Sequence, residues 1–249
     1  MSVIRLIPIE SGFLRTDASV LCDGAKGPVR VPVCCWVVVH PRGTLIFDTG
    51  LHSDLQQDPA RLGGLARIFG IEMQHDLGAA LEQQQVDATS IDYIVFSHLH
   101  WDHSGGTRAI PNATILVQQD EWAFGQTEEF VSNTAFAASD FDLGHPVTEV
   151  RGHHDIFGDG SVVCVPTPGH TPGHQSLRVE LDSGSVLLTG DCCYWQHMLD
   201  KDLVPPFGFD IPQQRASMAL LRKLQGEGVR LIFGHDADQW QTLGGVELT

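Results

Sequence analysis

The stretch Ser97-His98-Leu99-His100-Trp101-Asp102-His103-Ser104-Gly105-Gly106 (97–106) places three histidines and an aspartate within six residues, directly after the apolar run IDYIVF (91–96). Such a run, closed by a polar turn, reads as a buried strand that ends in a loop. Alternate residues of an extended segment face the same way, so His98, His100 and Asp102 start on a common side. Imidazole nitrogen and carboxylate oxygen are the donors that suit zinc, iron, manganese or cobalt. One ion cannot take all four donors from so tight a turn. Two ions sharing the turn can.

Three further donors follow apolar strands elsewhere. His170 stands at the junction PTPGH after SVVCVPT (161–167), Asp191 ends SVLLTGD (185–191), and His235 ends VRLIFGH (229–235). Strand ends are where folds that mix helices and sheets collect their reactive groups. A lone histidine in such a place is ordinary; five of them with two aspartates in register are not. The other histidines, among them His153 and His154, have no such company and read as surface or core residues.

Working outward, VPVCCWVVVH (31–40) and TLIFD (44–48) flank Pro41-Arg42-Gly43, and QSLRVEL (175–181) and SVLLTGD flank Asp182-Ser183-Gly184. Both are hairpin signals. ATILVQ (113–118) reads as another strand, while 76–86, 119–125 and 212–226 carry helical spacing. Hairpins mixed with helix-separated strands predict an α/β fold with mixed sheets covered by helices. TLIFDTG (44–50) and SVLLTGD echo one another, as do IVFSHLHWDH and VVCVPTPGHTPGH, which suggests two related halves with both histidine turns at one end. No linker divides residues 1–249, so a single domain is expected.

The 249 residues carry 15 Lys+Arg against 31 Asp+Glu, a net charge of −16, and 42 % are apolar. That charge opposes binding to nucleic acid and to anionic membrane surfaces. No apolar window approaches the ~18 residues a membrane span needs. The N-terminus MSVIRLIPIESGF lacks the pattern of a signal or transit peptide. The six cysteines (22, 34, 35, 164, 192, 193) form no C-x-x-C and read as free thiols of a reducing cytoplasm.

H-x-H-x-D-H followed by distant His, Asp and His resembles the ligand pattern of the metallo-β-lactamase superfamily. More closely, VPVCCWVVV, FDTG, SHLHWDHSGG, TPGHTPGHQSL, LLTGDCCY, VPPFGFD and IFGHD resemble, in order, the N-acyl-homoserine lactonases of that superfamily. The resemblance implies an αβ/βα sandwich of two mixed sheets flanked by helices. It implies two divalent ions, zinc first, with cobalt, manganese or iron as other occupants. One ion would take His98, His100 and His170, the other Asp102, His103 and His235, with Asp191 between them. It further implies a quorum-quenching hydrolase that opens the lactone ring by attack of a metal-bridging hydroxide. Tyr194 would donate to the carbonyl oxygen and Asp102 would shuttle the proton. A homodimer is a further implication.

Asp48 in FDTG is either an orienting partner for a ligand histidine or a turn cap; His174 reads as structural. For the acyl tail the candidates are Phe13 and Leu14 of an N-terminal loop, Leu62, Leu65, Ile68 and Phe69 of an insertion at 51–75, Trp101, and Phe207-Gly208-Phe209. Among these, Trp101 has ligands on both sides, and the Gly208 backbone is available to an amide.

Other reactions compete within the superfamily. A thioester hydrolase resembling glyoxalase II needs basic residues for its anionic substrate, and none follows His235. Phosphodiester hydrolysis is opposed by the net charge. A β-lactamase site that places cysteine at Asp191 would have to recruit Cys192 or Cys193. A di-iron redox module is the remaining class. An electropositive centre in an acidic shell suits an uncharged substrate and an anionic product.

Overall fold

The run 31–39 lies within strand β2, and its alternation sets the layering. Cys35 and Val37 pack on one face, and Trp36 and Val38 on the other. A strand buried on both sides reads as a continuous apolar run rather than an alternating one. The computed structural model describes residues 3–127 and 138–249. In it, β1 (Arg5–Asp17), β2 (Pro28–His40) and β3 (Gly43–Phe47) form an antiparallel ladder, and β4 (Gly70–Glu72) adds to the far edge of β1. Strands β5 (Tyr93–Val95), β6 (Thr114–Gln118) and β7 (Val147–Val150) extend the sheet in parallel from β3, giving the order β4-β1-β2-β3-β5-β6-β7.

The second sheet has the order β12-β11-β10-β9-β8, with β8 (His154–Asp155), β9 (Val162–Pro166), β10 (Gln175–Leu181) and β11 (Gly184–Leu188) antiparallel and β12 (Arg230–Ile232) parallel to β11. Both hairpins form at the expected turns, with His40 opposite Gly43 and Leu181 opposite Gly184.

Between the sheets, Trp36, Val38, Leu45, Phe47 and Val95 meet Cys164, Leu177, Val179, Leu188 and Ile232. The helix Leu77–Gln83 covers the outer face of the first sheet with Leu77, Ala80 and Leu81. The helix Ile211–Gly226 covers the second with Met218 and Leu221. The result is the αβ/βα sandwich of two mixed sheets. Among the described residues no helix is long and apolar enough to cross a membrane, and all six cysteines are free.

One expectation is corrected. Residues 13 and 14 belong to the thirteen-residue strand β1 and not to a loop. Pro8 and a bulge between Glu10 and Gly12 interrupt its alternation, which hides the strand in the sequence. Because neighbours on a strand face opposite ways, Leu14 lines the cleft described below. Phe13 instead faces a separate groove beside Trp240, with the Arg30 guanidinium 3.3 Å above its ring.

The Gly105-Gly106 pair lets the metal-motif turn press on residues 48–52. A Cβ at Gly106 would lie 2.2 Å from the Thr49 carbonyl oxygen, and one at Gly105 would lie 2.3 Å from His52 N. Gly106→Ala is therefore expected to lower stability by about 1–3 kcal/mol, the usual cost of overpacking. Thermal unfolding measures it; an unchanged melting temperature would show that the loop yields.

Candidate metal centre and cleft

After β5 the chain runs through an irregular segment to His100, which is extended, then turns into the short helix Trp101–Ser104. That turn splits the motif. His98 and His100 project from the segment before it, whereas Asp102 and His103 arrive on the first helical turn and join a different group. The common side expected for His98, His100 and Asp102 is thus shared only by the two histidines, because the two-residue period ends at Trp101.

The structure brings all seven candidate donors together as two groups: His98, His100, His170 and Asp191 in one, Asp102, His103 and His235 in the other. In the first, His100 Nδ1 lies 2.8 Å from His98 Nε2 and 2.9 Å from His170 Nε2. Asp191 stands between the groups. Its Oδ2 is 3.3 Å from His170 Nε2 and 3.7 Å from His98 Nε2, and its Oδ1 is 3.2 Å from both His103 Nε2 and His235 Nε2. Asp102 Oδ2 lies 3.8 Å from His235 Nε2 and 3.9 Å from His103 Nε2.

The outer nitrogens orient the rings. His103 Nδ1 donates to Asp48 Oδ2 at 2.8 Å, and His235 Nδ1 donates to the Pro32 carbonyl at 2.7 Å. Ser97 gives its hydroxyl proton to Asp48, so His98 Nδ1 donates to Ser97 Oγ at 2.9 Å. Each of these bonds places a proton on the outer nitrogen and turns the inner Nε2 toward the centre. His103 Nε2 and Asp191 Oδ1 are buried without a hydrogen-bond partner. Buried acceptors that face one another need a cation between them, and imidazole with carboxylate is a fitting donor set for a divalent one.

The electrostatics agree. Burial, followed by the neighbouring imidazoles, holds His98 and His100 well below the ordinary histidine range, so their lone pairs stay available. Burial works against charging His103 too, yet Asp191, Asp102 and Asp48 raise it well above that range. Burial alone would raise Asp191, but His103 and His235 hold it well below the usual carboxylate range. Carboxylates that draw protons onto histidines in this way favour a metal ion by the same field.

Supporting residues hold the loops. Asp48, with φ 61°, accepts from Ser97 N and Oγ as well as from His103, so it orients a histidine while anchoring the turn. His174, pushed down to about 3 by burial, accepts from Asp191 N at 3.0 Å. Sequence reading missed two more. Gln214 donates to the carbonyls of Asp191 and Cys192 at 3.3 and 3.4 Å. Glu121, pushed up to about 7 by burial, accepts from the backbone of both histidine loops. Nothing in QQDEWAFG separates Glu121 from an ordinary surface glutamate. Cys192 and Cys193 are buried and their thiols are pushed upward by burial; neither belongs to a donor group.

Above the centre lies a cavity of about 410 Å3. Leu14, Val31, Leu65, Phe69 and Trp101 line it, with Phe124, Phe207, Gly208 and Phe209, and His100, Asp102, Asp191 and His235 meet it from the donor groups. Phe69 packs on Trp101 with ring centroids 5.8 Å apart. Leu62 lies outside the lining, buried in the core beneath. Ile68, Phe207 and Phe209 line the cleft while remaining exposed to solvent. Among the described residues no lysine or arginine lines it. Tyr194, 2 % exposed, also borders it, and burial followed by Asp191 raises its phenol well above the ordinary value, so the hydroxyl remains a donor.

A family model described as the Metallo-beta-lactamase superfamily matches residues 29–235. The curated N-acyl homoserine lactonase AttM of Azorhizobium caulinodans is 32 % identical over 96 % of both chains. A solved N-acyl homoserine lactone hydrolase, with the product N-hexanoyl-L-homoserine at its catalytic metal centre, superposes with a TM-score of 0.86 at 27 % identity over 97 % of each chain. A single-residue mutant of Bacillus thuringiensis AiiA, with N-decanoyl-L-homoserine at its active site, also gives 0.86, at 28 % identity and 97 % coverage of each. The chain belongs to the metallo-beta-lactamase superfamily and, within it, to the family of the N-acyl homoserine lactonases.

Proposed function

We propose that the chain, acting as one domain over residues 1–249, hydrolyses the lactone ring of N-acyl homoserine lactones at a dinuclear zinc centre. The observation that carries this reading is Asp191, whose two oxygens each face one group of donors at the floor of a largely apolar cleft. His98, His100 and His170 would hold one ion, Asp102, His103 and His235 the other, and Asp191 both. Two divalent ions so held supply a hydroxide nucleophile near neutral pH and polarise the attacked carbonyl.

The chain's own residues do the rest. Tyr194, a neutral donor beside the centre, hydrogen-bonds the carbonyl oxygen as negative charge develops on it. Asp102, raised by burial and by Asp191 and partly open to the cleft, carries the proton to the departing ring oxygen. The Gly208 backbone meets the amide, and Leu14, Phe69, Trp101 and Phe207 exclude water from the acyl tail. Among the described residues no cationic side chain lines the cleft, which opposes glutathione thioesters, whose carboxylates away from the reacting carbonyl would go unpaired. The apolar residues between 62 and 69 of the insertion at 51–75 would carry the proposed contact between two copies, which sedimentation measures. The free buried cysteines suit a reducing cytoplasm.

A pH-stat titration of the zinc-loaded protein tests the reading with homoserine lactones, simple γ-lactones, thioesters and phosphodiesters. Acid release is expected from acylated homoserine lactones above all others. Turnover of thioesters or phosphodiesters without lactones would overturn it.

A further inference from the structure

Glu121 lies in the helix Gln119–Gly125, belongs to neither donor group, and is completely buried. Its Oε1 accepts from Leu99 N at 3.0 Å and its Oε2 from Gly173 N at 3.0 Å. Leu99 stands between His98 and His100, and Gly173 follows His170 by three residues. Among the described residues no lysine or arginine forms an ion pair with this carboxylate; the Thr171 side chain and the two backbone amides offset its burial.

Gly173 makes the contact possible. A Cβ there would lie 2.1 Å from Glu121 N. Only a glycine lets the His170 loop come this close to the helix.

The two loops come from different sheets: the first follows β5 and the second follows β9. Apolar packing between sheets is non-directional and does not by itself set a nitrogen-to-nitrogen separation of 2.9 Å. Hydrogen bonds, by contrast, are directional and fix a donor–acceptor distance. Gln175, five residues beyond His170, already ties the same segments at Ser97 O (2.9 Å) and Phe96 O (2.8 Å), just before His98. Glu121 ties them among the donors.

We propose that Glu121 is a positioning residue for the metal centre, its one carboxylate setting the distance between the His98/His100 turn and the His170 loop. The inference rests on reading those histidines as ligands. Glu121 touches neither cleft nor substrate, so its effect reaches the centre only through the backbone of Leu99 and Gly173.

Glu121→Gln tests it. The amide keeps the shape but offers one acceptor, so one backbone N–H must face an NH2 group. Cobalt(II) binding by chelator competition, the cobalt visible absorption spectrum and thermal unfolding of the metal-free protein separate the roles. The expected result is an affinity lower by about 10- to 100-fold, as for other residues that orient ligands, with a changed spectrum. A merely structural residue would lower the melting temperature and leave affinity and spectrum as in the wild type; that result overturns the proposal. If the glutamine variant does not fold, Glu121→Asp decides, since it keeps both oxygens on a shorter arm. A shifted spectrum is expected there, and an unaltered spectrum and affinity would again overturn the proposal. A wild-type chain that binds no cobalt overturns the ligand assignment itself.

Discussion

Asp191→Ala is expected to release bound metal and to abolish turnover, the largest effect of any single change. The two oxygens of Asp191 divide between the donor groups: Oδ1 meets His103 and His235, and Oδ2 meets His98 and His170. Removing it leaves the imidazoles without the carboxylate that offsets a cation's charge across the gap. Loss of a buried charged partner costs about 3–5 kcal/mol, which is about two to four decades in affinity. Metal content after gel filtration should fall below two ions per chain, and initial rates should fall with it. Full metal content with normal turnover would remove Asp191 from the centre.

Tyr194→Phe is expected to separate chemistry from metal binding. The phenol is buried, held protonated, and hydrogen-bonded to Asp191. Its ring centroid is 5.2 Å from that of His235 and 6.0 Å from that of His170, so the aromatic packing survives the change. Only the donor disappears. Loss of one hydrogen bond that strengthens as oxyanion charge develops costs about 10²-fold in kcat. Metal content should stay as in the wild type and KM should change little. An unaltered kcat would take Tyr194 out of the reaction; a loss of metal would make it a structural element of the centre instead.

The contrast between these two variants follows from position in the chain. Asp191 sits in the turn Gly190–Cys192 that closes β11, with its backbone N–H held by His174 and its carbonyl by Gln214. Tyr194 follows three residues later, after the chain has left that turn. The first residue is fixed from several sides, whereas the second presents one polar atom to the cleft.

Much of this was legible before any coordinates. Each set of donors follows an apolar run, and a run that stops at a polar turn marks both the strand and the place where its end opens. Asp48 was legible only in part: FDTG suggested an orienting partner or a turn cap, and the residue does both. Phe13 misled, because a bulge and a proline broke the alternation that would have shown its face. Glu121 and Gln214 carried no local mark at all. Their polar atoms meet backbone groups that are 22 to 52 residues away in sequence.

The sequence by itself determined the inventory of donors, the strands that present them and the mixed sandwich that collects them, since periodicity and turn chemistry act over a few residues. Only the tertiary structure decided which side of β1 faces the cleft and which buried carboxylate bonds to both histidine loops. Those outcomes depend on what lies opposite each side chain once two sheets have packed. A local pattern states which face a residue occupies, but the partner on the other side is supplied by a distant part of the chain.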